Sequence, residues 1–147
     1  MLIYLDMCCL KRPFDDQSQV RIRVETETVL SLLAMEGERL RFVRSKALLL
    51  ENSLNPVKER ASRVEQWLMS APLWQPSEIS RLPNRVAELM TMGIKNFDAL
   101  HLASAEEANA AVFVTTDDRL MAAAHRNADH IHTRVCSVSA CMEEVAK

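Results

Sequence analysis

Apolar positions fall in runs whose spacing alternates between two kinds. Met1–Leu5 is short, apolar along its length and stopped by Asp6, the pattern of a strand buried on both faces. Ile22, Val29, Leu30 and Leu33 mark one face of a helix over Val20–Glu36, and Leu40 and Phe42 alternate with arginines in a second strand, Arg39–Val43. Lys46–Asn52 reads as a short helix carrying one acid, Glu51. Val57, Ala61, Val64 and Leu68 recur at helical spacing after Pro56, and Pro83 suits the first turn of a helix with Val86, Leu89 and Met90 facing inward. The intervening Met7–Gln19, with Pro13 and polar residues around Asp15, reads as a loop.

The most informative stretch is Lys95–Leu120. It predicts a helix with Asn96 as N-cap and Asp98 in its opening turn, then a buried strand Ala111–Val114. A further helix follows from Asp117 to Asn127, with Thr115 or Thr116 as its cap. A last strand over Thr133–Val138 and a helix over Ala140–Val145 complete the chain. Strands separated by helices predict an α/β three-layer sandwich, a mainly parallel central sheet flanked by helices, in one domain spanning residues 1–147. In such a sheet the strand ends and the helix starts that follow them gather along one edge. Asp6, Asp98 and Asp117 then meet there.

Composition narrows what that edge can do. Only two glycines occur, Gly37 and Gly93, and both are placed to end helices. None remains for a phosphate-cradling loop, which removes P-loop and dinucleotide-binding readings. No apolar run approaches the ~20 residues that span a bilayer, and no secretory signal pattern opens the chain, so a cytoplasmic protein is expected. Four cysteines are too sparse for a disulfide scaffold, and His125, His130, His132, Cys136 and Cys141 lack zinc-ligand spacing apart from the His125–His130 pair. Net charge is −2, so any polyanion must be held by local cations.

Carboxylates gathered at a sheet edge repel, by roughly 4 kcal/mol at 4 Å and an effective dielectric of 20. Helix N-termini offset about 0.3–1 kcal/mol each. The remainder calls for a shared proton or a hard cation, Mg²⁺ or Mn²⁺, and such ions activate water against phosphoryl groups. A receiver domain would need a pair of acids after its first strand, and a haloacid-dehalogenase-type phosphatase would need Asp-x-Asp where this chain has Asp6-Met7-Cys8. Neither fits.

Leu5-Asp6, Glu51, Phe97-Asp98-Ala99-Leu100-His101-Leu102-Ala103 and Val114-Thr115-Thr116-Asp117 together resemble the four acidic motifs of the PIN-domain family, small metal-dependent ribonucleases that include the VapC-like toxins of toxin–antitoxin pairs. The resemblance spans essentially the whole chain. It implies a divalent-metal-dependent endoribonuclease whose Asp6, Asp98 and Asp117 hold Mg²⁺ or Mn²⁺, with Glu51 completing the catalytic set and the Thr115 hydroxyl bracing one end. Thr-x-Asp points to Asp117 in preference to Asp118. Arg12 and Arg119 are the cations expected to meet RNA, with Lys11 and Lys46 further candidates. Met7 departs from the family, standing where a Thr or Ser hydroxyl is usual. An antitoxin partner and a homodimer follow from the same resemblance. The alternative is a PIN-like binding or scaffold protein with little or no nuclease activity.

Overall fold

The computed structural model describes residues 1–147. In chain order the elements are β1 (Leu2–Leu5), α1 (Met7–Lys11), α2 (Val20–Ala34), β2 (Arg41–Phe42), α3 (Lys46–Ser53), α4 (Lys58–Leu68) and α5 (Arg81–Thr91). They continue with α6 (Asn96–Glu107), β3 (Val112–Val114), α7 (Asp118–Arg126), β4 (Arg134–Cys136) and α8 (Val138–Val145). All four strands are parallel, in the order β2-β1-β3-β4. Ile3, Tyr4 and Leu5 of β1, and Val112, Phe113 and Val114 of β3, are all buried, so both faces of the central pair are covered. That is why these strands read as unbroken apolar runs. The result is the expected parallel sheet between helices.

Strand order decides where a site can form. From β1 the chain runs out to one side to make β2, then returns to the other side of β1 for β3 and β4. The β1–β3 seam is therefore the point where the winding reverses, and the crevice beyond its carboxyl ends is the natural binding position in an open α/β sheet. Asp6 ends one of these strands, and Thr115 and Asp117 follow the other. The ladder runs on into the site, since the Asp6 amide donates to the Val114 carbonyl at 2.9 Å.

Local details depart from the pattern-based reading at several points. Met7–Gln19 is not one loop: α1 and a 3₁₀ turn over Arg12–Phe14 occupy its first half. Asp6 nucleates α1 by accepting from the Met7 amide at 2.8 Å, and the helix is held by burying Met7, Cys9 and Leu10. A five-residue helix is too short to show a period. The second strand shrinks to Arg41–Phe42, and α2 ends at Ala34, so Gly37 does not cap it. Gly37 instead lies in a turn, its amide donating to the Leu40 carbonyl at 2.8 Å. Gly93, at φ 86°, follows α5 as expected. Asn96 is not a side-chain cap. It sits inside the first turn of α6 at φ 41°, and Lys95 occupies the cap position without a side-chain bond.

One buried cation fixes the approach to α3. Arg44 is 4% exposed, paired through both guanidinium nitrogens with Glu36 at 2.7 and 2.9 Å. It also donates to the Trp67 carbonyl at 2.9 Å and stacks on the Trp67 ring at 4.1 Å. The next residue, Ser45, accepts from the Leu48 amide at 3.1 Å and so caps the helix that carries Glu51. Removing Glu36 strands a buried charge, whereas removing Arg44 frees an acid that can reach water. Glu36→Ala is expected to cost about 3 kcal/mol in urea unfolding, and Arg44→Met less than half of that; equal costs would mean the guanidinium needs no counter-charge.

Candidate active site

Asp6 is the most desolvated acid of the seam. Its Oδ1 takes the Met7 amide, while its Oδ2 accepts from the Thr115 hydroxyl at 2.9 Å and from the Cys8 thiol at 3.3 Å. Burial pushes its carboxyl well above the usual range, against the pull of His101 and the Thr115 hydrogen bond. Thr115 also accepts from the Asp117 amide at 3.0 Å, so one hydroxyl ties the ends of β1 and β3 together. Met7 is buried, and the polar contact at this position comes from Cys8, one residue further on. Its sulfur lies 3.4 Å from the Thr115 hydroxyl and accepts from the Thr116 amide at 3.4 Å.

Asp117 caps α7 itself, where Thr115 or Thr116 is expected. Both cap bonds, from the Arg119 amide at 2.9 Å and the Leu120 amide at 3.2 Å, go to Oδ1, so Oδ2 has no partner within the chain. Asp118 faces away and pairs with Arg21 through both oxygens at 2.9 Å. The two neighbouring acids thus have separate surroundings, and only Asp117 turns its charge toward Asp98.

Asp98, in the first turn of α6, is half-buried. Burial first, then the charges of Asp6 and Asp117, push its carboxyl up to about 6, with Glu51 adding to them and His101 opposing. No hydrogen bond contributes to its state. Three aspartates and Glu51 therefore share one field, although their parent segments are far apart in sequence.

Glu51 is held from beneath. His101 is fully buried, with Nε2 2.6 Å from Glu51 Oε1 and Nδ1 2.7 Å from the Tyr4 hydroxyl, which lies 2.7 Å from Ser45 Oγ. Burial raises the Tyr4 phenol well above its ordinary value, so it keeps its proton. Ser45, Tyr4, His101 and Glu51 thus form one continuous run of hydrogen bonds. Sequence reasoning left His101 and Glu51 unconnected and missed Tyr4 and Cys8. The one signal for Tyr4 was a hydroxyl inside an otherwise apolar strand.

The cations divide. Arg12 is committed to Glu25 at 2.8 Å and Asp15 at 3.1 Å, and its position beside the first motif does not leave it free. Arg119 is exposed, and its side chain enters no ion pair or hydrogen bond within the chain.

The sequence matches the PIN domain family over residues 4–126, and the chain belongs to that family. No curated protein matches it at a significant level. PIN domains are nucleases that generally use divalent metals, and the donor chemistry here fits one: hard carboxylate oxygens in mutual repulsion, with Asp98 and Asp117 Oδ2 unpartnered. No three His, Cys, Asp or Glu side chains stand close enough to grip an ion as they lie. No helix is long and apolar enough to cross a membrane.

The repulsion has a signed consequence. A carboxyl whose folded pKa lies above its ordinary 3.8 binds its proton more tightly when folded. For Asp98 the penalty is absent below pH 3.8, grows as pH rises, and is complete above about 6. Allowing for solvent screening of a half-exposed group, it amounts to about 1 kcal/mol. In EDTA, Asp98→Asn is expected to raise Tm by about 3 °C near pH 7.5 and to leave it unchanged near pH 4; a Tm that falls at both pH values would refute the strain.

Proposed function

We propose that this PIN domain is a divalent-metal-dependent endoribonuclease that hydrolyses RNA phosphodiester bonds, the VapC-like toxin of a toxin–antitoxin pair acting in the cytoplasm. The observation that carries the reading is Asp98, partly out of water, without a hydrogen bond, and in the field of three other acids. Structural surface acids cap helices or pair with arginine, as Asp118 does. An acid left in that state is suited to a cation.

Asp6, Asp98 and Asp117 would hold Mg²⁺ or Mn²⁺. When bound, such an ion polarises the phosphoryl group and makes water acidic enough to attack it. The chain's own residues set the geometry. Thr115 fixes Asp6 against the end of β3, the α7 N-terminus holds Asp117 by one oxygen, and His101 keeps Glu51 turned toward the acids. Glu51 completes the set. Arg119, exposed in the first turn of α7, supplies positive charge for the RNA backbone against a net charge of −2. The exposed Ile79, in an apolar groove with Leu82 and Val86, supports association with an antitoxin and with a second copy as a homodimer.

Cleavage of single-stranded RNA is expected with Mn²⁺ or Mg²⁺, lost in EDTA and lowered at least ~100-fold by Asp98→Asn in protein that still melts cooperatively. Millimolar metal should also raise Tm, since it binds only the folded state; full activity in EDTA would discard the metal. Arg119→Ala should lower the dependence of log K on log salt by about 0.7, which anisotropy at several salt concentrations measures. Induced expression should arrest growth, and Asp98→Asn should relieve it. Unimpaired growth alongside RNA cleavage in vitro would remove the toxin role alone.

A further inference from the structure

A cavity of about 260 Å³ opens beside the acids, walled by Lys11, Glu51, Asn52, Leu54, Asn55 and Phe97 among others. Its position is set by the site. Asn52 follows Glu51 on α3, Phe97 precedes Asp98 on α6, and Met7, which follows Asp6, also borders it. Whatever occupies it lies one residue from three of the four acids. Its volume is below the range typical of drug-sized ligands, and suits a single ring system.

The walls offer an incomplete set of partners. The Asn52 amide donates to the Ala61 carbonyl at 2.8 Å, which fixes the orientation of the side chain. Its Oδ1 is buried and is the one buried side-chain polar atom in the protein without a hydrogen-bond partner. With almost no accessible surface it lies behind the wall, so Asn52 shapes the cavity without bonding across it. Asn55 Oδ1 accepts from the Val57 amide at 3.0 Å, leaving its NH₂ as a donor. Lys11 enters no ion pair, and Phe97, stacked on His101 with ring centroids 6.0 Å apart, adds a flat apolar wall. An amide donor, a ring and a cation lie within reach of a phosphate-cleaving site.

We propose that this cavity is a base subsite: it takes the nucleobase next to the scissile phosphate of single-stranded RNA. The base lies against Phe97, its edge acceptors face the Asn55 NH₂ and the Lys11 ammonium, and the preceding phosphate passes Lys11. Every base has a face to stack and at least one edge acceptor, so affinity comes from stacking and preference from the fit to the Asn55 donor. The inference rests on the RNA-cleaving reading above and assigns that site its nucleotide contact.

The test separates the two. Short labelled oligoribonucleotides, identical except for one abasic position, are titrated by fluorescence anisotropy into the wild-type protein in EDTA, and cleavage of the same strands is followed in Mn²⁺. One abasic position should weaken binding about tenfold, and Phe97→Leu should remove most of that difference. Lys11→Ala should weaken all strands alike. In NMR spectra, nucleoside 5′-monophosphates should shift the Asn55 side-chain amide, and Asn55→Asp, which keeps the bond from the Val57 amide but loses the donor, should change the order of base preference. Cleavage with no abasic effect, or an abasic effect that Phe97→Leu leaves intact, overturns the subsite and leaves the nuclease standing. Amide shifts without cleavage keep the cavity as a nucleotide site and overturn the nuclease. Neither binding nor cleavage overturns both.

Discussion

The structure turns on the cost of holding carboxylates near one another outside water. β1 and β3 lie side by side because their apolar residues need covering on both faces, and that pairing delivers Asp6 and Asp117 to one seam. Helix α6 then brings Asp98 into the same field. None of these acids is neutralised by an arginine, whereas Glu36, Glu106 and Asp118 elsewhere in the protein are. The chain has cations enough to quiet the seam and places them elsewhere. Local stability is given up where chemistry gains from it.

What keeps the strained acids in place is a set of contacts that begins in the core. Arg44 anchors the entry to α3, Ser45 caps that helix, and the Ser45 hydroxyl meets Tyr4 at the centre of β1. His101 carries the connection from Tyr4 out to Glu51. Sheet, helix cap and acid are thus consecutive partners in one hydrogen-bonded chain, and each is held by groups that are themselves buried. Sites supported in this way tolerate little drift, because a rotation at any member leaves a buried polar atom unpaired.

Much of this was legible from the sequence, for reasons that differ by residue. The strands were visible because burial on both faces writes itself as Leu-Ile-Tyr-Leu and Val-Phe-Val, and the long helices because period and caps coincide. Asp6, Glu51, Asp98 and Asp117 stood out because each falls at an element boundary or in a recognisable motif. What stayed hidden depended on partners distant in sequence. Nothing near Arg12 shows that Glu25 will claim it, and nothing near His101 shows that Glu51 and Tyr4 will take both ring nitrogens. Helix α1 was hidden for another reason: five residues carry no measurable period, and Asp6 was counted as a site residue when it is also the cap. Nothing in the sequence marks Cys8, yet its sulfur touches both Asp6 and Thr115.

Tyr4 is the only tyrosine in the chain, and it sits fully buried in β1, bonded to the histidine that holds Glu51. Biosynthetic incorporation of a fluorinated tyrosine would therefore place a single spectroscopic label at the midpoint of the link from core to site, with no mutation and no competing signal. Its resonance would sense the posture of His101 directly, giving a view of the acids from inside the protein as metal is added.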